Sequence, residues 1–352
     1  MFSRIKKIQN ILERGTAALI MSPANRFYLT GFRSSAGYVV VTPENAVFLT
    51  DFRYFEKAKS VIKACETVML TKFSEQVKTI IGNAEKLYIE TDVVSVSQFS
   101  DFAASLGVKI SDDKKLSRLL GLMRSIKTKE EIDNIKAAQK ITDDTFQYIL
   151  PRITSGRTEC EIMLDMEFFM RKSGSEGVAF DFIVVSGKNS SLPHGVPTDK
   201  RIEKGDFITM DFGAVVNGYR SDMTRTIAVG SASEEQKTVY NTVLKAQLAA
   251  IEAARTGVIC KEVDKIARDI IGAAGYNGCF GHGLGHSVGL DIHENPSFNM
   301  RDETPLEEGM IITVEPGIYL ENKFGVRIED MIIITENGNE NITKSPKELI
   351  VL

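Results

Sequence analysis

Two apolar segments separated by Asn217-Gly218 constrain the fold of this chain more than any other feature of its sequence. Residues 207–216 and 219–229 are predominantly apolar, and Asn-Gly between two such runs is the strongest short-range signal for a β-hairpin. If these two residues form the loop, Asp211 and Asp222 are diagonal neighbours on one face, about 7–8 Å apart along the backbone. They are then either a solvated pair on an exposed face or ligands of a divalent cation that offsets their repulsion and desolvation.

A second pair of carboxylates lies in apolar strands near the C-terminus. Residues 310–315 form an apolar run that ends at Glu315, and Glu329 lies inside the apolar run 326–334. An acidic side chain in so apolar a segment needs a partner. A cation shared with the first pair would serve, but Arg327 shares the strand face of Glu329 by alternation and is the alternative partner.

The histidines of the chain are concentrated between these two pairs of carboxylates. There are four in all, and His282, His286 and His293 fall within twelve residues. The glycines of 281–289 lack the G-x-G-x-x-G spacing and no strand–helix unit surrounds them, which argues against a dinucleotide site. Glycines that let the backbone approach a crowded site suit a metal-binding loop better.

The chemistry of these side chains favours a hydrolytic metal site. Four carboxylates and an imidazole, with no thiolate among them, suit hard or borderline divalent ions, with Mn²⁺ preferred over Zn²⁺. Two bridging carboxylates could hold two ions about 3.5–4 Å apart. A water between the ions would become a hydroxide nucleophile at neutral pH while the ions polarise a carbonyl. The pattern therefore predicts amide hydrolysis.

The order of predicted elements indicates two domains. Before residue 123, helix-like and strand-like segments alternate, which is typical of an α/β layer domain, and residues 22–25 (Ser-Pro-Ala-Asn) are predicted to form a turn. We divide the 352 residues into domains of residues 1–123 and 124–352, a number consistent with ordinary domain size. In the second domain, three capping-box pairs predict helix starts: Thr128 with Glu131, Thr158 with Glu161, and Ser233 with Gln236.

Composition and charge exclude several classes of partner. The formal net charge of −4 gives no electrostatic reason to expect nucleic acid or an anionic membrane. No apolar stretch approaches ~18 residues, and no apolar region follows the basic N-terminus, so neither a membrane span nor a signal peptide is predicted. The four cysteines are scattered without a C-x-x-C pair, which favours free thiols in a reducing, cytoplasmic compartment.

Several of these segments together resemble the pita-bread metallopeptidases, which comprise prolidase (Xaa-Pro dipeptidase), aminopeptidase P and methionine aminopeptidase. The segments are Met-Asp-Phe-Gly (210–213), Ser-Asp-Met-Thr-Arg-Thr (221–226), Gly-His-Gly-Leu-Gly-His (281–286), Val-Glu-Pro-Gly-Ile-Tyr (314–319) and Val-Arg-Ile-Glu-Asp (326–330). Residues 22–32 and 50–54 resemble the creatinase-type domain of the Xaa-Pro enzymes, which methionine aminopeptidases lack. The resemblance implies an α+β protein with a creatinase-like N-terminal α/β domain and a C-terminal pita-bread catalytic domain.

The resemblance also implies a role for each matching side chain. Glu315 would be the general base, and His194 and His293 would contact the substrate and steady the tetrahedral intermediate. His282 would line the pocket near the scissile proline. Arg327 and Tyr319 would lie behind the ligands, with Arg327 also binding substrate; a strand ion pair and a core tyrosine are the alternatives. The metal ligands would be Asp211, Asp222, His286, Glu315 and Glu329.

The activity implied by the resemblance is hydrolysis of the Xaa-Pro bond at the N-terminus of dipeptides or short proline-containing peptides. It would use two divalent ions per chain, with Mn²⁺ preferred and Co²⁺ or Zn²⁺ as alternatives, in a homodimer. An inactive binding protein of the same fold and a metal-free creatinase-like C–N hydrolase are alternative readings. Loss of a ligand would favour either of them, and all five ligands are present.

Two positions depart from the family pattern. Phe324 occupies a position where many relatives have glycine, so the local loop is expected to differ. Prolidases use an arginine between the His-Glu motif and the last metal-binding strands to hold the free carboxylate of the dipeptide. Arg301 lies in that interval, but residues 297–303 match too loosely to assign it. The choice between dipeptidase and aminopeptidase is therefore open.

Overall fold

The computed structural model describes residues 1–352, apart from the side chain of Phe2. The chain divides into two compact units, Met1–Arg124 and Ser125–Leu352. Of the helices described in this structure, none combines the length and the apolar character that crossing a bilayer requires.

The first unit contains a six-stranded sheet with helices between its strands. Its elements are α1 (Phe2–Ile11), β1 (Thr16–Ile20), α2 (Pro23–Thr30), β2 (Tyr38–Val41), β3 (Ala46–Thr50), α3 (Phe52–Val61), β4 (Glu66–Met69), α4 (Phe73–Ile81), β5 (Lys86–Ile89), α5 (Val96–Leu106), β6 (Lys109–Ser111) and α6 (Lys115–Ser125). The strand order is β4-β3-β2-β1-β5-β6. Strand β2 pairs antiparallel with β1 and β3, and the remaining pairs are parallel. The alternation of elements predicted from the sequence is therefore present.

Helix α2 begins where the sequence predicts a turn, so the prediction for residues 22–25 is wrong. The Ser22 hydroxyl accepts a hydrogen bond from the backbone N–H of Asn25 at 3.2 Å, and Pro23 is the first helical residue. Proline suits that position because its missing N–H would have no helical partner and its φ is already helical. The buried carboxylate of Glu90 also accepts the backbone N–H of Ser22 at 2.9 Å, which fixes the start of the helix.

The second unit has two helix pairs, each followed by strands. The helices are α7 (Lys129–Ile149), α8 (Glu159–Lys172), α9 (Glu234–Ala253) and α10 (Cys260–Ala273). All three predicted capping boxes are present, at the starts of α7, α8 and α9. In each box, the side chain of the cap residue accepts the backbone N–H of the third helical residue. The side chain of that third residue in turn accepts the backbone N–H of the cap residue.

Most strands of the second unit belong to two antiparallel sheets. The strands are β7 (Ile183–Ser186), β8 (Phe207–Phe212), β9 (Val215–Val216), β10 (Tyr219–Arg220), β11 (Met223–Ala228), β12 (Gly285–Ser287), β13 (Glu294–Phe298), β14 (Ile311–Val314), β15 (Gly317–Leu320), β16 (Phe324–Arg327), β17 (Asp330–Thr335) and β18 (Gly338–Asn341). The sheet orders are β11-β8-β7 and β13-β12-β14-β17-β18, and β9–β10 and β15–β16 form two-stranded ribbons.

The register of the Asn217-Gly218 hairpin is the one predicted from the sequence. Val216 lies opposite Tyr219 in the β9–β10 ribbon, and Asp211 lies opposite Thr224 between β8 and β11. Both Asn217 and Gly218 have positive φ, at 47° and 83°, as a tight hairpin turn of this type requires. Asp222 directly precedes β11, so the two aspartates are diagonal neighbours.

Two hydrophobic cores support the strands of the second unit. In one, α7 and α8 pack on β7, β8 and β11. In the other, α9 and α10 pack on β14, β16 and β17. Phe324, the residue that departs from the family pattern, is buried in this second core with its ring centroid 5.5 Å from that of Phe207.

Candidate metal centre

Acidic side chains in or directly beside separate strands meet an imidazole in the second unit. Asp222, His286 and Glu329 each offer a ligand atom, and these atoms all lie within 4.8 Å of one another. His286 Nε2 lies 3.6 Å from Asp222 Oδ2 and 3.4 Å from Glu315 Oε1. Asp211 lines the same cavity from β8. The structure therefore brings together all five side chains that the resemblance names as ligands.

Two glycines let the strands that carry these side chains approach closely. A Cβ on Gly213 would lie 1.8 Å from the carbonyl oxygen of Ser221, and a Cβ on Gly285 would lie 1.9 Å from that of Thr313. Neither contact can be relieved by a side-chain rotation because each involves backbone. Glycine at these positions therefore permits the juxtaposition of β8 with the segment holding Asp222, and of β12 with β14.

Three carboxyl groups of the cluster, those of Asp222, Glu315 and Glu329, have raised pKa values. Burial, followed by repulsion from Glu329 and Asp211, raises the pKa of Asp222 well above its usual range. Burial, followed by repulsion from Glu315 and Asp211, does the same to Glu329. Burial raises the pKa of Glu315 to about 8, although the Arg327 guanidinium opposes the shift. Without added positive charge, these groups therefore resist ionisation at neutral pH.

Two carboxylate oxygens of the cluster have no hydrogen-bond partner within the described structure. They are Asp211 Oδ1 and Asp222 Oδ1, and both are buried. Leaving a buried acceptor unpaired costs roughly 1–3 kcal/mol, and more if it is charged. Burial, with a smaller contribution from His293, also lowers the pKa of His286 to about 4, so its ring is neutral at neutral pH. Unpaired carboxylate oxygens and a neutral imidazole are the donor set that a divalent cation requires.

Arg327 connects several walls of the site. Its Nη2 donates to Asp211 Oδ2 at 2.7 Å, and its Nη1 donates to the Tyr319 hydroxyl at 2.8 Å. Its Nε donates to Thr224 Oγ1 at 3.1 Å, and the Thr224 hydroxyl donates to Glu329 Oε2 at 2.7 Å. The alternative that Arg327 is the direct partner of Glu329 is wrong. Its ion pair is with Asp211, and Thr224 stands between Arg327 and Glu329.

The remaining histidines surround the cluster on the cavity side. His282 Nε2 lies 2.9 Å from the Tyr319 hydroxyl, and burial, followed by repulsion from Arg327, lowers the pKa of His282 to about 4. The rings of His286 and His293 meet edge to face, with centroids 4.4 Å apart. His194 is exposed and lines the cavity. All four histidines of the chain therefore border one space.

That space is a cavity of about 840 Å³. It is large enough for a short peptide or another small ligand, since ligand pockets commonly measure about 300–1,000 Å³. Apolar side chains, including Phe180 and Ile292, also line the cavity. Arg301, left unassigned by the sequence, is exposed and is not among the residues that line the cavity.

Comparison with protein families decides the class of this site. Residues 133–336 match the model of metallopeptidase family M24, and residues 4–126 match the creatinase/prolidase N-terminal domain. The chain belongs to metallopeptidase family M24. The α+β fold with a creatinase-like N-terminal domain and a pita-bread catalytic domain, predicted from the sequence, is confirmed. Membership of M24 also makes the chain a metal-dependent peptidase.

Individual M24 proteins are similar to this chain along its whole length. It is 42% identical to an Xaa-Pro dipeptidase from Pyrococcus furiosus, over 99% of this chain and 100% of that protein. Its structure is similar to that of an Xaa-Pro dipeptidase from Bacillus anthracis, with a TM-score of 0.95 and 42% identity over 99% of both chains. It is also similar to an X-Pro aminopeptidase from Thermotoga maritima, with a TM-score of 0.90 and 37% identity over 100% of this chain and 99% of the other.

The site contains two threonines, Thr224 and Thr313, whose hydrogen bonds to site residues are not predicted from the sequence. Thr224 bridges Arg327 and Glu329, as described above. Thr313 Oγ1 accepts the backbone N–H of His286 at 3.0 Å and lies 3.3 Å from Glu315 Oε1, to which it donates. Each threonine lies two residues from an acidic side chain of the site, Asp222 or Glu315. Residues two positions apart along a strand share a face, and this spacing is the one feature of the sequence that indicates a role for the two threonines in the site.

Proposed function

We propose that this M24 protein hydrolyses the Xaa-Pro bond at the N-terminus of dipeptides or short peptides. The observation that carries the proposal is the convergence of Asp211, Asp222, His286, Glu315 and Glu329 on one cavity, with carboxylate oxygens that have no hydrogen bond among the described residues. Relatives named Xaa-Pro dipeptidase and X-Pro aminopeptidase support the choice of substrate.

The proposed site holds two divalent ions, with Mn²⁺ as the preferred metal. Its five ligands would be Asp211, Asp222, His286, Glu315 and Glu329, and no cysteine is among the described residues that line the cavity. Oxygen and imidazole donors without thiolate favour Mn²⁺ over Zn²⁺, and Co²⁺ remains an alternative. When bound, such ions acidify water and polarise a carbonyl oxygen.

The side chains of the protein would then perform the proton transfers. Glu315, which lies beside His286 in the cluster, would accept the proton of the attacking water as the general base. The same carboxyl group would later deliver that proton to the departing nitrogen of proline.

His293 and His194 border the cavity on the substrate side. Burial, followed by repulsion from His194, lowers the pKa of His293, so its ring is neutral at neutral pH and offers one N–H. A donor held near the developing negative oxygen of the tetrahedral intermediate stabilises it more than it stabilises the ground-state carbonyl. We assign this role to both histidines. His282, bonded to Tyr319, would contact the substrate near its proline.

Selection of proline must rely on the shape of the pocket. Proline has no backbone N–H and a fixed φ, so a site cannot recognise it by a hydrogen bond to the amide. The apolar side chains that line the cavity, Phe180 among them, offer the surface for its ring. Homodimer formation, which the family resemblance implies, and a cytoplasmic location, which the scattered cysteines favour, are parts of the same proposal.

Cleavage of Ala-Pro and Ala-Pro-Ala by the Mn²⁺-loaded protein tests the proposal. A dipeptidase cleaves Ala-Pro much faster, whereas an aminopeptidase cleaves Ala-Pro-Ala at least as well. Ala-Ala and Ala-Ala-Ala serve as matched controls without proline. Failure to cleave either proline peptide, in protein shown to contain metal, would contradict the proposed substrate class.

A further inference from the structure

Glu159 is a buried carboxylate that the proposed mechanism does not use. It is the first residue of helix α8, directly after the capping residue Thr158, and its exposed fraction is 0%. An acidic residue in the first turn of a helix is ordinary, since it interacts favourably with the helix dipole. A glutamate with no exposure is not ordinary, because burial of a charge requires dedicated partners.

The partners of Glu159 all belong to one segment of chain. Its Oε1 accepts the backbone N–H of Ser186 at 2.6 Å and the Ser186 hydroxyl at 2.9 Å. Its Oε2 accepts the backbone N–H of Thr198 at 3.0 Å and the Thr198 hydroxyl at 2.7 Å. The Asn189 amide donates to both oxygens, at 3.2 and 3.3 Å. One carboxylate therefore binds both ends of the loop 187–197.

This loop carries His194 and one wall of the cavity. Pro193, His194, Gly195, Val196 and Pro197 all line the cavity, yet the loop has no regular structure beyond a short 3-10 helix at 187–191. Val196 is 75% exposed and Leu192 is 56% exposed, so burial of their side chains does not hold the loop in place. Hydrogen bonds at its ends and along its length therefore contribute to its conformation.

Only a few other contacts hold the loop on the cavity side. Arg327 Nη1 donates to the carbonyl oxygen of Pro193 at 3.1 Å, and the backbone N–H of Gly325 donates to the Ser190 hydroxyl at 2.9 Å. These contacts attach the middle of the loop to the strand that carries Arg327. The ends of the loop are joined through Glu159, as in compact surface loops whose ends lie close together.

We propose that Glu159 is a positioning residue that closes the loop 187–197 and thereby holds His194 at the cavity. This inference rests on the proposed function, because it gives the position of His194 a catalytic consequence. Glu159 itself lies behind the loop and does not line the cavity. It acts through Ser186, the last residue of β7, and through Thr198, whose backbone N–H groups and hydroxyls it joins across the loop.

Glu159→Gln is the test variant, because glutamine keeps the size of the side chain but presents an N–H₂ to groups that are themselves donors. Amide hydrogen exchange of residues 186–198, followed by mass spectrometry, measures closure of the loop independently of activity. We expect faster exchange there and unchanged exchange in α9 and α10. Unchanged exchange in 186–198 would overturn the proposal.

Activity of the same variant measures the consequence for catalysis. We expect kcat/KM for the cleaved proline peptide to fall roughly 10- to 100-fold, since small misplacement of a catalytic group has effects of that size, with metal content unchanged. In a His194→Ala background, Glu159→Gln should lower kcat/KM by no more than about twofold further, because residues that act through one another are not additive. A full additional loss would overturn the role through His194, as would wild-type activity in a variant whose loop exchanges faster.

Two further variants serve as a control and as a substitute for Glu159→Gln. Asp165→Asn, on the same helix and in a partly exposed ion pair with Arg157, should change neither exchange nor activity. If Glu159→Gln does not fold, Thr198→Val removes one hydroxyl donor and should give the same changes at smaller size. If the wild-type protein cleaves neither proline peptide, the proposed function fails, whereas the exchange comparison still decides whether Glu159 orders the loop.

Discussion

Arg327 Nη2 lies 2.7 Å from Asp211 Oδ2, and both side chains are buried. The pair joins β16 to β8, two strands that are distant in sequence, and Arg327 also reaches Tyr319 and Thr224. One guanidinium thus faces several carboxylates, so it offsets only part of their repulsion. Bound divalent cations would offset the remaining repulsion between the carboxylates. Metal binding should therefore stabilise the folded chain as well as supply the chemistry of hydrolysis.

Breaking this pair should destabilise the chain. In Arg327→Met, Asp211 loses its buried ion-pair partner, and such losses cost about 3–5 kcal/mol. We expect a lower Tm and weaker metal binding, measured by thermal unfolding with and without Mn²⁺. Arg301→Met is the matched control. It should leave Tm and the KM for Ala-Pro unchanged, because Arg301 is exposed and away from the cavity lining. Equal Tm values for the two variants would contradict this account of Arg327.

Glu315→Gln should largely abolish hydrolysis while leaving the fold intact. Glutamine cannot accept the proton of water, and loss of a general base typically lowers kcat by about 10²–10⁴-fold. Steady-state kinetics on the cleaved proline peptide, together with a circular dichroism spectrum, measures both effects. Glu308→Gln, at an exposed position shortly before β14, is the control and should behave as the wild type. Near-normal turnover by Glu315→Gln would remove Glu315 as the base.

Thr224→Val should weaken metal binding without a change of shape. Valine keeps the size of threonine but loses the hydroxyl that donates to Glu329 and accepts from Arg327. Partners that orient ligands typically contribute 10–100-fold to metal affinity, and we expect a loss of about that size in a Mn²⁺ titration. Thr209→Val, whose buried hydroxyl bonds to that of Thr226 at 3.0 Å, controls for loss of a strand hydroxyl. Similar metal affinities for both variants would argue against a role for Thr224 at the centre.

The metal-free chain should become less stable as the pH rises from 7 to 9. Burial raises the pKa of Glu315 from 4.5 to about 8, so the folded chain binds this proton more tightly than the unfolded chain. Its contribution to stability is complete below pH 4.5 and is lost as the pH rises through about 8. Metal binding requires the ionised carboxylate, so the gain in Tm on adding Mn²⁺ should increase over the same interval. Thermal unfolding in chelator and in Mn²⁺, from pH 7 to pH 9, measures both trends. This range avoids the opposite effect of His282 and His286, whose pKa values are lowered from 6.5 to about 4 and which therefore favour the folded chain as the pH rises towards 6.5. A metal-free Tm that rises with pH in this interval would contradict the prediction.

Much of the site could be predicted because its signals are local. Asn217-Gly218 sets a two-residue loop, and the loop alone places Asp211 and Asp222 on one face. The capping boxes at Thr128, Thr158 and Ser233 likewise combine residues three positions apart, and all three are present. Local patterns of this kind need no knowledge of the tertiary structure.

The failures involve groups whose partners lie far away in sequence. Alternation within one strand pairs Arg327 with Glu329, but the structure pairs Arg327 with Asp211 on β8. Ser22-Pro23 fits both a turn and a helix start. The structure has the helix start, and Glu90, which is distant in sequence, accepts the backbone N–H of Ser22 there. Glu159 looks like an ordinary first-turn acid until the folded chain surrounds it with donors. In each case, the hydrogen-bond partner is set by the distance between segments that are far apart in sequence. Spacing along the chain does not reveal that distance.

The most direct test of the metal centre combines metal analysis with activity. Protein freed of metal by chelation and then titrated with Mn²⁺ should bind two ions per chain, and hydrolysis of Ala-Pro or Ala-Pro-Ala should appear only as these sites fill. Cleavage that persists in the metal-free protein, or a chain that binds no Mn²⁺ and remains folded, would contradict the claim that these five side chains form a hydrolytic metal centre.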